Sequence, residues 1–149
     1  MQITVRQTIK ADAATIFGVL TDIEAWADFM SGIKSAEKLT EGPLRRGSRF
    51  RETRMLHGRE AREEMTVALL EAPVRLVLTA DNHGAHYEVV HEIAAHKVGS
   101  ELVVHFSAVP QSRLARLMAP LFGFMGRSLE RQIARDLTDI ARESEGRAR

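Results

Sequence analysis

Polar and apolar residues alternate along "QITVRQTI", with Ile3, Val5 and Ile9 on one side, and predict a strand at the start of the chain. Asp12 stands where an N-cap belongs, ahead of a short helix carrying Ile16, Phe17 and Leu20. Thr21 or Asp22 is expected to cap a second short helix with Trp26 and Phe29, and Gly32 to end it. From Ile33 to Val109 short alternating runs are broken by "EGPL", "LHGR", "EAPV", "DNHG" and "KVGS", which predicts about six strands joined by turns. After Ser112 the period becomes helical. Leu114, Leu117, Met118, Leu121, Phe122, Met125, Leu129, Ile133, Leu137 and Ile140 form one apolar stripe running to about Glu143. Most of the arginines (113, 116, 127, 131, 135 and 142) lie off it. The order predicts an α+β fold: an antiparallel sheet with one face covered by the long helix.

Hairpin parity sorts the strand faces, because antiparallel partners point the same way. A turn at Val98-Gly99 sets His91 opposite Phe106, Ile93 opposite Val104, and His105 opposite Glu92. A turn at His83-Gly84 sets Tyr87 opposite Ala80, Val89 opposite Leu78 and His91 opposite Leu76. Its reverse side pairs Arg75 with Glu92, Thr79 with Glu88 and Asp81 with His86. A turn at Ala72-Pro73 sets Leu69 opposite Leu76 and Val67 opposite Leu78. The turns agree on one inner face holding Phe50, Met65, Val67, Leu69, Leu76, Leu78, Tyr87, Val89, His91, Val104 and Phe106. Extended to a turn at Gly58-Arg59, parity sets Glu52 opposite Met65 and Arg54 opposite Glu63, all inward. A one-residue shift is expected to turn Arg51, Thr53 and Met55 inward instead. Charges enter a core only when paired, and Arg54 with Glu63 supplies such a pair.

The stretch "HGAHYEVVHEIAAH" (83–96) holds four of the chain's six histidines and ends on a near-match to a zinc-protease motif. That motif needs histidines four apart, ~400° around a helix. His91 and His96 are five apart, which leaves them ~140° apart on a helix or on opposite faces of a strand. His86 and His96 share a face across ~33 Å of strand. No metal is expected. His83 falls in a turn, His86 and His105 on the outer face, His96 near a hairpin end, and His91 points inward. There it is either a core histidine bonded to a neighbour or a polar contact in a ligand cavity.

Composition narrows the class. With 149 residues, 44% of them hydrophobic, the chain is expected to make one domain over 1–149. A net charge of +1 gives no reason to expect a nucleic-acid partner. No cysteine is present, which excludes disulfides and thiolate chemistry. The first residues lack the apolar run of a signal peptide, and no membrane span is expected, so a cytoplasmic protein is. No cofactor is indicated. Pro120, Gly123 and Gly126 interrupt the long helix at "MAPLFGFMG". Either the helix starts near Pro120, or it kinks over a cavity mouth with Met118, Phe122, Phe124 and Met125 as adaptable lining.

The opening "VRQTIKADAATIFGVLTDIEAWADFMSGI", the strand start "GSRFRETR", the hairpin "LLEAPVRLVLTA" and the closing helix "LERQIARDLTDIARESE" resemble the START-related helix-grip (SRPBCC) superfamily. The likeness is greatest to its polyketide cyclase/dehydrase-like branch. The resemblance implies a seven-stranded curved sheet gripping the last helix, with a cavity between them. It leaves several functions open, because function resides in the site and not the fold. The first is binding or transport of a hydrophobic small molecule such as a lipid, isoprenoid or aromatic polyketide. Its lining is expected from Phe50, Glu52, Arg54, Met65, Val67, Leu78, Tyr87, Val89, His91, Phe106, Met118, Phe122 and Met125, with Arg54 as a bidentate partner for the ligand's polar end. The second is a cyclase/dehydratase-type enzyme with His91, Glu52 and Arg54 as its acid/base set. The third is a protein-interaction module similar to chaperone activators, which needs an exposed apolar patch. Monomer and homodimer both remain open.

Overall fold

The computed structural model of the protein describes residues 1–56, 58–122 and 125–149, with the side chains of Leu121 and Phe122 left aside. The expectations placed on Phe122 and Phe124 as cavity lining therefore fall outside the described residues. Seven strands form one antiparallel sheet in the order β1-β7-β6-β5-β4-β3-β2. They are β1 (Gln2–Ile9), β2 (Ile33–Lys38), β3 (Arg49–Leu56), β4 (Arg59–Glu71), β5 (Arg75–Asn82), β6 (Ala85–His96) and β7 (Gly99–Pro110). Helices α1 (Ala13–Thr21) and α2 (Trp26–Phe29) lie between β1 and β2, and α3 (Arg113–Phe122) and α4 (Gly126–Arg147) follow β7. This is the helix-grip architecture. Helix α4 packs against β1, α1 and α2, burying Ile133, Leu137, Ile140 and Ala141. They meet Ile9, Ile16, Leu20, Phe50, Leu76 and Leu102 in one core.

Asp12 caps α1 as its position requires: its Oδ1 accepts the Thr15 N–H at 2.8 Å. Asp22 stands at the N-cap of the 3-10 turn Ile23–Ala25 that leads into α2, but neither its side chain nor that of Thr21 makes a cap bond. The Thr21 hydroxyl donates back to the Phe17 carbonyl, and the Asp22 carboxylate pairs with Arg147 at 3.0 Å. Helix α2 ends at Phe29, with Met30 N–H bonded to the Trp26 carbonyl, rather than at Gly32. Gly32 answers a different need: a Cβ there would lie 3.0 Å from Arg54 Nη1.

The β5–β6 register is as expected, including Arg75 opposite Glu92, Thr79 opposite Glu88 and Asp81 opposite His86. Two other turns sit one residue earlier than expected. Leu56 pairs with Arg59, so Glu52 faces Glu63 and Arg54 faces Ala61, not Glu63. His96 pairs with Gly99, so His91 faces Val104 and Ile93 faces Leu102. His105 lies opposite Val90 but still reaches Glu92 diagonally at 3.3 Å. Moving a turn centre by one residue moves each partner by two, so the inner face is unchanged. The expectation that such a shift would bring Arg51, Thr53 and Met55 inward is thereby corrected. The β4–β5 turn takes three residues, because Glu71 pairs with Arg75. A bulge between Val67 and Leu69 absorbs the extra residue. Val67 keeps Leu78, while Leu70, not Leu69, faces Leu76.

The helical stripe also divides. Pro120 lies inside α3 instead of starting a helix, and the long helix begins at Gly126 and continues to Arg147, past Glu143. On α4 the stripe is buried. On α3, Leu114, Leu117 and Met118 stand in solvent, as does Met125.

Candidate functional site

Alternation along β3 sends Phe50, Glu52 and Arg54 to the concave side, where α4 crosses. Arg54 is the hub. Its Nε donates to Glu52 Oε1 at 3.0 Å. Its Nη1 and Nη2 donate to Asp136 Oδ1 and Oδ2 at 3.2 and 2.8 Å, a bidentate fork. All three side chains are largely shielded from water. Burial alone pulls the Arg54 pKa down, but Glu52 and Asp136 outweigh it and hold the guanidinium above its ordinary value.

A fourth charge stands close. Glu63 lies directly across from Glu52. Burial first, and then Glu52, push its carboxyl above the ordinary range, against the pull of Arg54 and His83. Asp136 is raised as well: burial exceeds the help from Arg54, and Glu52 and Asp139 add to it. One guanidinium thus serves three carboxylates. Asp139 belongs to a separate, structural tie. Its Oδ2 accepts from Ser31 N–H and Oγ at 3.0 and 3.1 Å, and Arg142 pairs with its Oδ1 at 3.3 Å.

On the other half of the inner face, His91 Nδ1 lies 3.2 Å from the Leu76 carbonyl. A carbonyl only accepts, so Nδ1 carries the hydrogen and the neutral ring presents Nε2 as an acceptor. Burial pushes the imidazole down to about 4, with the Leu76 bond opposing. His91 nevertheless keeps some accessible surface, as do Val89, Tyr87 and Phe106 on the same face. The Tyr87 and Phe106 rings sit 5.9 Å apart, tilted. Burial, and then Glu63, raise the Tyr87 phenol above its ordinary value. Phe50, Met65, Val67 and Leu78 are packed core, with Trp26 standing edge-on to Phe50 at 5.3 Å.

The structure therefore joins Glu52 and Arg54 in one cluster and places His91 apart, on the strand that also carries Tyr87 and Val89. Met118 and Met125 are exposed. Asp136 is the site residue that strand parity does not reach. A signal was present: an acid three residues after Ile133 and beside Leu137, on the apolar face of its helix. Among the described residues, no three His, Asp or Glu side chains converge as a metal site.

A family model described as polyketide cyclase / dehydrase and lipid transport matches residues 1–145. No curated protein matches the sequence. Several solved structures share the fold. The ZhuI aromatase/cyclase from Streptomyces sp. R1128 is 19% identical with a TM-score of 0.78, over 100% of this chain and 96% of that one. TTHA0849 from Thermus thermophilus is 12% identical with a TM-score of 0.80, over 100% of both chains. The di-domain aromatase/cyclase StfQ of the steffimycin biosynthetic pathway is 12% identical with a TM-score of 0.81, over 99% of this chain and 52% of that one.

Proposed function

The chain belongs to the polyketide cyclase/dehydrase and lipid transport family, and from that premise we propose that it binds an uncharged hydrophobic small molecule between the inner sheet face and the C-terminal helices. One observation carries this reading. Tyr87, Val89, His91 and Phe106 point inward and still keep accessible surface, although His91 is deep enough for burial to depress its pKa to about 4. The protein's own side chains leave that surface uncovered, and an apolar ligand gains about 25 cal/mol for each Å² it removes from water.

The absence of charge on the ligand follows from the cluster. Every nitrogen of Arg54 already donates to Glu52 or Asp136, so its fork is engaged within the protein. A ligand carboxylate would meet surplus negative charge. A hydroxyl, phenol or carbonyl fits better: His91 Nε2 accepts, and the Tyr87 hydroxyl donates. The raised Glu63 carboxyl, which acts on the Tyr87 phenol, favours a second reading, a cyclase or dehydratase in which Glu63 is the proton donor.

Native mass spectrometry of the purified protein tests for a retained ligand. Titration with a long-chain alcohol and the fatty acid of equal length then tests the charge preference. Binding of the alcohol with rejection of the acid supports the reading, and no binding of either ends it. If Glu63→Gln abolishes turnover of a polyketide-like substrate while binding survives, the enzymatic reading prevails.

A further inference from the structure

Neighbouring strands are antiparallel throughout, so the β3–β4 and β5–β6 turns, the start of β1 and the end of β7 share one end of the sheet. Most of the large apolar side chains in solvent collect there. Helix α3 and the approach to α4 expose Leu114 (69%), Leu117 (75%), Met118 (40%) and Met125 (57%). The neighbouring strand ends add Met1, Met55, Leu56 and Val109. Only Leu39, Val74 and Val98 among the described residues are comparably exposed at the opposite end.

Helix α3 is held at this end and does not dangle from it. Gln111 N–H bonds the Gly84 carbonyl at 2.7 Å, and Ala115, buried, packs over Gly84, where a Cβ would come 3.4 Å from the alanine methyl. With Ala115 turned inward, Leu114, Leu117 and Met118, at i, i+3 and i+4, form one outward stripe. Met1 reaches Gly126 at the start of α4, its Sδ 3.8 Å from where a Cβ would sit.

The charge at this end is as uneven as the hydrophobicity. Residues 111–135 carry five arginines and a single acid, Glu130. The rest of the chain has 16 basic and 19 acidic residues, a net of −3 against +4 in this segment. Arg113, Arg116, Arg127 and Arg131 are exposed and make no ion pair among the described residues. Arg127 and Arg131, with Glu130 and Ala134, line an open surface hollow of about 390 Å³.

We propose that this end docks on an anionic lipid bilayer, with Leu114, Leu117 and Met118 at the acyl boundary and Arg113, Arg116, Arg127 and Arg131 among the headgroups. An amphipathic helix with arginines beside its apolar stripe binds such a surface by burying the stripe while the guanidinium groups reach the phosphates. The charge selects this occupant over a second copy of the chain, because a two-fold contact would set the arginine cluster against itself. Docking is peripheral, since no helix of the described residues is long and apolar enough to cross a membrane. It stands independently of the ligand reading above.

Co-sedimentation of the full chain with vesicles tests it. Binding is expected to vesicles of phosphatidylcholine mixed with phosphatidylglycerol, and to weaken with salt. The Arg113→Gln/Arg116→Gln variant should bind about fivefold more weakly per charge removed, and Leu114→Ser/Leu117→Ser roughly tenfold or more. All four side chains are exposed, so both variants should retain the wild-type melting curve. Three results overturn the proposal: no partition onto the anionic vesicles, partition that neither double variant reduces, or a dimer in analytical ultracentrifugation that Leu114→Ser/Leu117→Ser splits.

Discussion

His91 is neutral because folding removes its ring from water faster than the Leu76 carbonyl can compensate. Its pKa falls to about 4 in the fold, so the unfolded chain binds the proton more tightly. The stability this confers is complete above an ordinary histidine pKa of about 6.5 and is lost as pH falls toward 4. Between pH 7 and pH 5 the loss should be about 2 kcal/mol. Urea denaturation at the two pH values should show a drop in wild type that His91→Gln lacks. Glu63 runs the other way. Its raised carboxyl favours the fold most at low pH, and that contribution is lost as pH rises through its folded pKa. Glu63→Gln should therefore stabilise the protein at pH 7 by about 0.2–1 kcal/mol, the scale of a like-charge pair facing across two strands. The gain should shrink near pH 4, measured by thermal melts at both. The inward side of both residues was legible in the sequence, since face depends only on turn parity. So was Leu76 as the partner of His91 on β5, but Val104 opposite His91 and Glu52 opposite Glu63 were not, because each partner depends on the turn centre to a single residue, and a tight turn and its neighbour read alike in sequence.

Arg54 joins two elements that no backbone hydrogen bond joins, β3 and α4. Arg54→Met would leave Glu52 and Asp136 shielded from water without a counter-charge, a change that costs about 3–5 kcal/mol. Adding Glu52→Gln and Asp136→Asn to Arg54→Met should recover most of that in the same denaturation assay. If the single variant is no less stable than wild type, the cluster does not hold the helix to the sheet. Strand parity could predict that Arg54 points inward, but it says nothing of which helix residue waits there. The same gap explains the expectation for α3. An apolar stripe marks a helix as two-sided without saying what its apolar side meets, and on α3 it meets solvent. The bulge after Val67 was equally hidden, because it answers a three-residue turn whose length "EAPV" does not declare.

The whole molecule depends on α4 filling the concavity of the sheet. Leu137 is 2% exposed in the part of the helix that crosses this core, so Leu137→Ala should cost about 2–5 kcal/mol and lower the melting temperature with fold retained by circular dichroism. Order of elements, number of strands and the gripping helix were all legible, since each rests on periodicity and punctuation summed over many residues. Which ligand the inner face would take was not, because that choice rests on a few contacts. The sheet order carries a consequence in time. Gln2 pairs with Ser107 and Ile9 with Ser100, so β1 is synthesised about a hundred residues ahead of β7, the strand it pairs with. At ordinary synthesis rates β1 waits roughly 5–20 s, unpaired, before β7 exists. A strand edge left open that long invites pairing with another chain, and "QITVRQTI" answers the hazard with Arg6 and three further polar residues on its outer face.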